Sequence, residues 1–366
     1  MTHTFSPRAV LAFAALVAAT PASAQITGIL PTPDNPPTRQ GTRGGTFLHL
    51  DIGARSNAMA GAIGSSVRGP TAWFVNPAGT ADTEGFSVAA GRQNLYGDLD
   101  VAQTYAGLSM PLLGGVVGVS LNTLNSGDIP RTTEAFPLGD PVAGLNFDWN
   151  STAAGLGYAR RLTDRLSIGG GLKYITEGIT GASTSWIAFD IGTQFNTGVY
   201  GLVIGGALQH LGGGANVSGT AIQRVINNAN VDGQQIDANL LTIRSDLPTT
   251  FRFSLGNELI GTSEALLGGA GGPHGLHAEA AVSDAVDAAA QLGIGVEYSF
   301  RSTFFARAGK RFYGDDRSTG SSTKYGLSGG FGLRFPFVGR SARFDYSFTS
   351  LGDLKDIQVF SFEVSR

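Results

Sequence analysis

From Lys324 to Thr349 the chain changes character at every second residue. Tyr325, Leu327, Phe331, Leu333 and Phe335 alternate with Lys324, Gly326, Ser328, Gly330, Gly332 and Arg334. After a turn at Pro336 to Gly339 the pattern resumes, with Ala342, Phe344, Tyr346 and Phe348 set against Arg343, Asp345, Ser347 and Thr349. Leu166, Ile168, Leu172 and Tyr174 alternate in the same way with Ser167, Gly169, Gly171 and Lys173, and Phe251, Phe253 and Leu255 with Thr250, Arg252 and Ser254. A two-residue period places such sets on opposite faces of a sheet. The chain therefore reads as all-β.

Both a soluble sandwich and a membrane barrel alternate, so segment length decides between them. Sandwich strands run about 5–6 residues. Here the segments run nearer ten, enough to cross a bilayer at a tilt of about 45°. Tyr158, Tyr174, Tyr298, Phe300, Tyr313 and Phe335 gather at segment ends, as interfacial aromatic girdles require. Strands are predicted near 86–95, 101–110, 115–124, 147–160, 166–177, 183–195, 199–211, 248–260, 275–283, 289–299, 303–313, 324–335, 340–350 and 356–365. Fourteen is an even number within the range of single-chain barrels.

The connections give a second test. Pro111 to Gly114, Arg161 to Arg165, Asn196 to Gly198, Phe300 to Ser302 and Pro336 to Gly339 are tight, whereas Asn125 to Asn146, Gly212 to Leu247 and Gly314 to Thr323 are long. Short turns on one side and long loops on the other are the mark of outer-membrane barrels, with the short side periplasmic. Gly261 to His274 breaks the rule, being long where a short turn is expected.

Export fits this reading. Arg8 precedes an apolar stretch from Ala9 to Ala19, and Ala22-Ser23-Ala24 is a small-x-small cleavage site. Residues 1–24 are therefore predicted to be a secretory signal peptide, too short in its apolar part to span a bilayer. The mature chain would carry 24 basic and 28 acidic groups, a net of −4. With no basic run, that balance argues against nucleic-acid binding. Cysteine is absent, which removes disulfide scaffolds, thiolate metal sites and Cys nucleophiles. Charged residues are only 14% of the chain and glycines number 54, a composition that suits an all-β protein.

Ahead of the strands, residues 25–40 carry Pro31, Pro33, Pro36 and Pro37, an extended lead-in. Gly41 to Gly85 lacks alternation, is dense in Gly, Ala and Ser, and reads as short helices and loops large enough to plug a lumen. Within it, Asn76-Pro77-Ala78 has its own physics. Pro77 pushes Asn76 out of the helical region, asparagine is a good N-cap, and proline at the first helical position loses no needed donor. A rigid helix start follows, with Trp73 and Phe74 as anchors.

The run Phe47-Leu48-His49-Leu50-Asp51-Ile52-Gly53-Ala54-Arg55-Ser56-Asn57-Ala58-Met59-Ala60-Gly61-Ala62 resembles the start of the PorV/PorQ-like outer-membrane proteins. Asn76-Pro77-Ala78-Gly79 resembles the element these share with FadL-type fatty-acid channels, and Phe344-Asp345-Tyr346 and Gly352-Asp353-Leu354 agree near the C-terminus. The chain departs from the family in placing Trp73-Phe74-Val75 before the Asn, and Val67-Arg68-Gly69 where acidic residues are common. The resemblance implies a fourteen-stranded transmembrane antiparallel barrel over 86–366 in the outer membrane of a Gram-negative-type bacterium. It also implies an N-terminal hatch over 41–85 in the lumen, with Arg55, Trp73, Phe74, Asn76, Pro77, Ala78 and Gly79 as its ligand and hatch residues.

Signals for catalysis are poor. Gly326-Leu327-Ser328-Gly329-Gly330 fits a hydrolase elbow, which needs a strand-to-helix turn, but it lies mid-strand here. His274 and His277 flank Gly275-Leu276 at a predicted turn, where solvation is a better reading than metal binding, and Asp315-Asp316 reads as a solvated loop tip. No cofactor, metal site or catalytic residue is assigned. Lys173, Arg252, Arg307, Arg334, Arg343 and Asp345 should face the lumen, with Glu279 and Glu297 beside them; mixed signs favour pairing that holds the hatch over a polar passage. The first function compatible with this architecture is passage of hydrophobic, fatty-acid-like molecules, served by apolar loop stretches such as Val142-Ala143-Gly144-Leu145 and Leu240-Leu241-Thr242-Ile243. The second is docking of a secretion-machinery or cell-surface protein, as the resemblance to PorV-like components of type IX secretion implies, through the polar connection Gly212 to Leu247. The third is a structural barrel. Outer-membrane lipid is the partner common to all three.

Overall fold

The computed structural model describes residues 41–97, 99–139, 145–227, 235–313 and 326–366. The predicted signal peptide 1–24, the lead-in 25–40, Val142-Ala143-Gly144, Asp315-Asp316 and Lys324-Tyr325 lie outside the described residues. Fourteen long strands form one closed antiparallel barrel. They are β1 Ser87–Leu95, β2 Val101–Leu112, β3 Gly115–Asn125, β4 Asn150–Arg161, β5 Leu166–Ile179, β6 Ala182–Asn196 and β7 Leu202–Gly212. The second half comprises β8 Thr250–Ile260, β9 His274–Ala285, β10 Gln291–Phe300, β11 Phe304–Tyr313, β12 Leu327–Phe337, β13 Arg340–Ser350 and β14 Asp356–Ser365. Each strand pairs with the next in the chain, and β14 returns to β1 with Val364 opposite Val88, so no edge is left open. Among the described residues no helix is long and apolar enough to cross a membrane.

The side-chain distribution is the reverse of that in a soluble barrel. Large apolar residues point outward and stay exposed: Leu156 at 64%, Ile187 at 58%, Phe189 at 55% and Phe331 at 53%. Inward positions on the same strands are polar and buried, among them Gln103, Ser109, Lys173, Asp190, Gln194, Arg307, Asp345 and Ser347. An exposed apolar belt of this extent is costly in water and favourable in hydrocarbon.

The turns follow the predicted two-sided scheme. Residues 113–114 join β2 to β3, 338–339 join β12 to β13, and 301–303 join β10 to β11; opposite them lie the long connections 126–149 and 213–249. The latter contains a small hairpin pairing Gln223–Asn227 with Gln235–Asn239. The connection 261–273 is indeed long on the short side. On the long side β5 and β6 are joined by two residues only, Thr180 and Gly181, and Gly181 takes φ +85, a value glycine adopts without strain. Pro111 and Pro336, expected in turns, are the last-but-one residues of β2 and β12, where a missing N–H costs little.

Residues 41–85 form short helical turns at Thr46–His49, Ala54–Ala58 (α1), Ala72–Val75 (α2) and Pro77–Thr80. They pack against inward faces of strands around the ring. Met59 lies where a side chain on Gly295 of β10 or Gly309 of β11 would stand, and the Trp73 indole where one on Gly118 of β3 or Gly157 of β4 would stand. Part of the glycine excess is thereby explained: bare backbone on the inner wall makes room for this segment. Phe47 and Leu48 join Ile175, Trp186 and Leu247 in one apolar cluster, while Ala54 joins Leu95, Leu351 and Val359 in another.

Candidate functional site

Asn76 is almost fully buried, and all its polar atoms are used. Its Oδ1 accepts from the Ala78 N–H at 3.2 Å, the N-cap that the tripeptide predicts, while Nδ2 donates to the carbonyls of Gly64 and Thr193, each at 2.9 Å. The element thus caps its own turn and ties it to β6. Pro77 presses on the bare backbones of Gly169 and Gly192, and Gly79 leaves space for the Val67 carbonyl. Trp73 donates from Nε1 to the Leu108 carbonyl at 3.1 Å and to Ser109 Oγ at 2.9 Å. Phe74 meets the Tyr105 ring edge-on at 5.6 Å, and its carbonyl accepts from Gln209 Nε2 at 3.0 Å. Trp73, Phe74 and Asn76 to Gly79 therefore act as seating contacts and do not line the cavity described below.

Arg55 sits differently. From α1 it reaches Glu297 on β10 through Nε at 2.9 Å and Nη2 at 3.2 Å, and it also donates to Ser66. Glu297 accepts in turn from Arg307 Nε at 2.5 Å, Arg307 Nη1 donates to Asp345 at 2.8 Å, and Arg343 Nε lies 2.8 Å from the same carboxylate. The result is a continuous ladder, Arg55–Glu297–Arg307–Asp345–Arg343, running from the segment into the wall. Burial works to lower the Arg55 guanidinium, and Glu297 outweighs it, leaving its pKa above the usual arginine value. Arg68 is held below its usual value by burial, which Asp82 opposes only in part.

Beside this ladder, at the short-turn end, lies a cavity of about 450 Å³. Arg55, Arg334, Arg343 and Asp345 of the predicted residues line it, together with Tyr105, Phe305 and Glu363. Three guanidiniums surround the Phe305 ring, those of Arg343, Arg334 and Arg307 at 5.0, 5.3 and 5.4 Å from its centroid. The combination of aromatic wall and paired charges allows an apolar body to sit beside a polar end.

The remaining predicted inward cations lie elsewhere. Lys173 on β5 pairs with Asp190 on β6 at 2.5 Å, next to a bulge where Gln209 and His210 of β7 both face inward. Arg252 lies 3.9 Å from Asp51, which Arg311 also grips. Sequence reasoning missed Asp51, Asp190, Arg311 and Glu363; all but Asp51 lie on strands, where inward parity was the available signal. His277, expected at a solvated turn, is buried within β9, its ring nitrogens 3.0 Å from Glu258 and 3.2 Å from Glu279. Ser328 lies in β12 and donates to the Ala58 carbonyl at 3.0 Å.

No family model matches the chain, and no curated protein does. Solved structures do. A FadL homologue from Pseudomonas aeruginosa superposes with a TM-score of 0.51 at 13% identity, over 86% of this chain and 97% of that one. The Ralstonia pickettii toluene transporter TbuX gives 0.52 at 13%, over 86% and 98%. The Pseudomonas putida toluene transporter TodX gives 0.50 at 12%, over 86% and 96%. At these identities the likeness is one of architecture: the chain has the fold of the FadL-type outer-membrane transporters.

Proposed function

We propose that the protein is an outer-membrane barrel that lets hydrophobic small molecules pass, with residues 41–85 as its hatch. The observation that carries this reading is the segment seated against the inner wall by Trp73, Asn76 and the Arg55 ladder, with an aromatic-walled cavity of about 450 Å³ left beside it. Its outward apolar belt fits a bilayer, and the neighbours with the same fold include two named as toluene transporters. The hatch closes an otherwise open ring, so passage requires the ion-pair ladder or the Trp73 seat to yield.

Native mass spectrometry of the mature protein, gently extracted from its own membrane, tests this. A reproducible extra mass of a few hundred daltons, released as a lipophile, is the expected result. Its absence, together with no gain in uptake of labelled fatty acid or toluene in expressing cells, would overturn the reading.

A second reading, docking of a secretion or cell-surface protein in the manner of PorV-like components, draws on the long connection after β7. There Leu241 and Ile243 are 99% and 92% exposed beside the polar hairpin. A co-purifying protein lost on replacing both residues by Ser would favour it.

A further inference from the structure

The outer wall over β1–β6 is not uniformly bulky. Leu156, Leu172, Tyr174, Ile187 and Phe189 stand out from it, but Ala106 on β2 and Ala154 on β4 fall on either side of Leu121 in one cross-strand row. The dent they leave is an almost wholly apolar groove of about 660 Å³, flanked by Leu156, Leu172 and Tyr174. Along β4 toward the short-turn end comes a second gap, because Gly170 stands opposite Tyr158. Two residues further on, opposite Ile168 on the same outer face, is Arg160. Its side chain points outward, is exposed, and has no hydrogen-bond or ion-pair partner among the described residues. Tyr158 beside it is held in place by a hydrogen bond from its hydroxyl to the Leu113 carbonyl at 3.1 Å.

We propose that this face is a binding site for one phospholipid of the periplasmic leaflet, with its phosphate on Arg160 and one acyl chain lying over Gly170 into the Ala154 groove. The spacing suits that occupant. Ala154 to Arg160 is six residues, about 20 Å along a strand at about 3.4 Å each. With a tilt of about 45° this is about 14 Å of depth, close to one leaflet of a hydrocarbon core about 30 Å thick. An unpaired guanidinium at that depth meets lipid phosphate, for which its planar fork is matched. A second protein copy would bring its own apolar belt to the groove and leave Arg160 without an anion. The inference rests on the membrane placement proposed above and is independent of what passes through the lumen.

The test uses the delipidated, full mature protein in mild detergent, offered dipalmitoyl phosphatidylglycerol or dipalmitoylglycerol and read by native mass spectrometry. Barrel assembly is checked by heat-modifiable gel migration. The expected result is a one-to-one phosphatidylglycerol adduct whose occupancy falls at least five-fold in Arg160→Gln and in Ala154→Trp. Dipalmitoylglycerol should bind more weakly and be indifferent to Arg160→Gln. Equal phospholipid occupancy in wild type and Ala154→Trp would overturn the groove, and equal binding of the two probes would overturn the role of Arg160. Should Ala154→Trp fail to assemble, Ala106→Phe fills the same groove. Protein that stays in solution without detergent would instead refute the membrane placement, a distinct outcome.

Discussion

Arg55 and Glu297, 242 residues apart in the chain, meet side by side, with Nε at 2.9 Å and Nη2 at 3.2 Å from the two carboxylate oxygens. Both side chains are largely buried. This pair is the charged link between the short helix α1 and the wall, beside hydrogen bonds from Ser328 to the Ala58 carbonyl and from Ser347 and Thr349 to Asn57, and Glu297 passes the connection on to Arg307 and Asp345. Because Glu297 is the wall residue that holds Arg55, changing it separates α1 from the rest of the ladder.

Glu297→Gln keeps the shape and removes the charge, leaving Arg55 and Arg307 buried without it. Losing one partner of a buried pair costs about 3 kcal/mol or more. The expected outcome is faster proteolysis within residues 41–85 with barrel assembly retained; limited digestion followed by gel migration reads both. Digestion no faster than in wild type would show that the ladder does not hold residues 41–85 in place.

Trp73→Ala empties the space between the backbones of Gly118 and Gly157 and unpairs Ser109. Truncating a buried tryptophan costs about 3–5 kcal/mol. A lower denaturant midpoint is expected, measured by the fluorescence of Trp149 and Trp186, with Trp73→Phe recovering part of the loss.

Gly192→Ala sets a methyl group where Asn76 Oδ1 lies, whereas at Gly329 the nearest atom to an added methyl is the Arg307 carbonyl oxygen at 3.6 Å. Overpacking of the first kind costs about 1–3 kcal/mol. Gly329→Ala should lie within about 0.5 kcal/mol of wild type. Denaturation of the two variants side by side separates a steric role of inner-wall glycine from a general dislike of alanine.

Pro77→Gly frees the backbone at the start of the Pro77–Thr80 turn and removes the ring that packs on Gly192. Residues 41–85 should become more sensitive to protease while the barrel assembles normally. Unchanged sensitivity would mean that Asn76 alone fixes the turn.

Much of this architecture was legible residue by residue. The alternation around Phe344 to Thr349 placed Arg343 and Asp345 inward, and they are inward. The Asn-Pro pair announced a cap, and Asn76 makes it. What could not be read was partnership. Arg343 and Asp345 are two residues apart and pair within one strand, but Arg307 reaches the same carboxylate from 38 residues away. Nothing near Asp190 announced the bulge that brings His210 beside it.

The physical reason is the range of each rule. A strand's two-residue period and a proline's fixed φ are local, so sequence alone determined the strands, their faces and the capped turn. Which side chains stand level across the barrel depends on the register of all fourteen strands and on the closure of β14 against β1. That sum over the whole ring is a property of the folded molecule. It was the tertiary structure that joined Arg55 to Glu297, turned the Asn76 element away from the cavity and left Arg160 facing outward without a partner among the described residues.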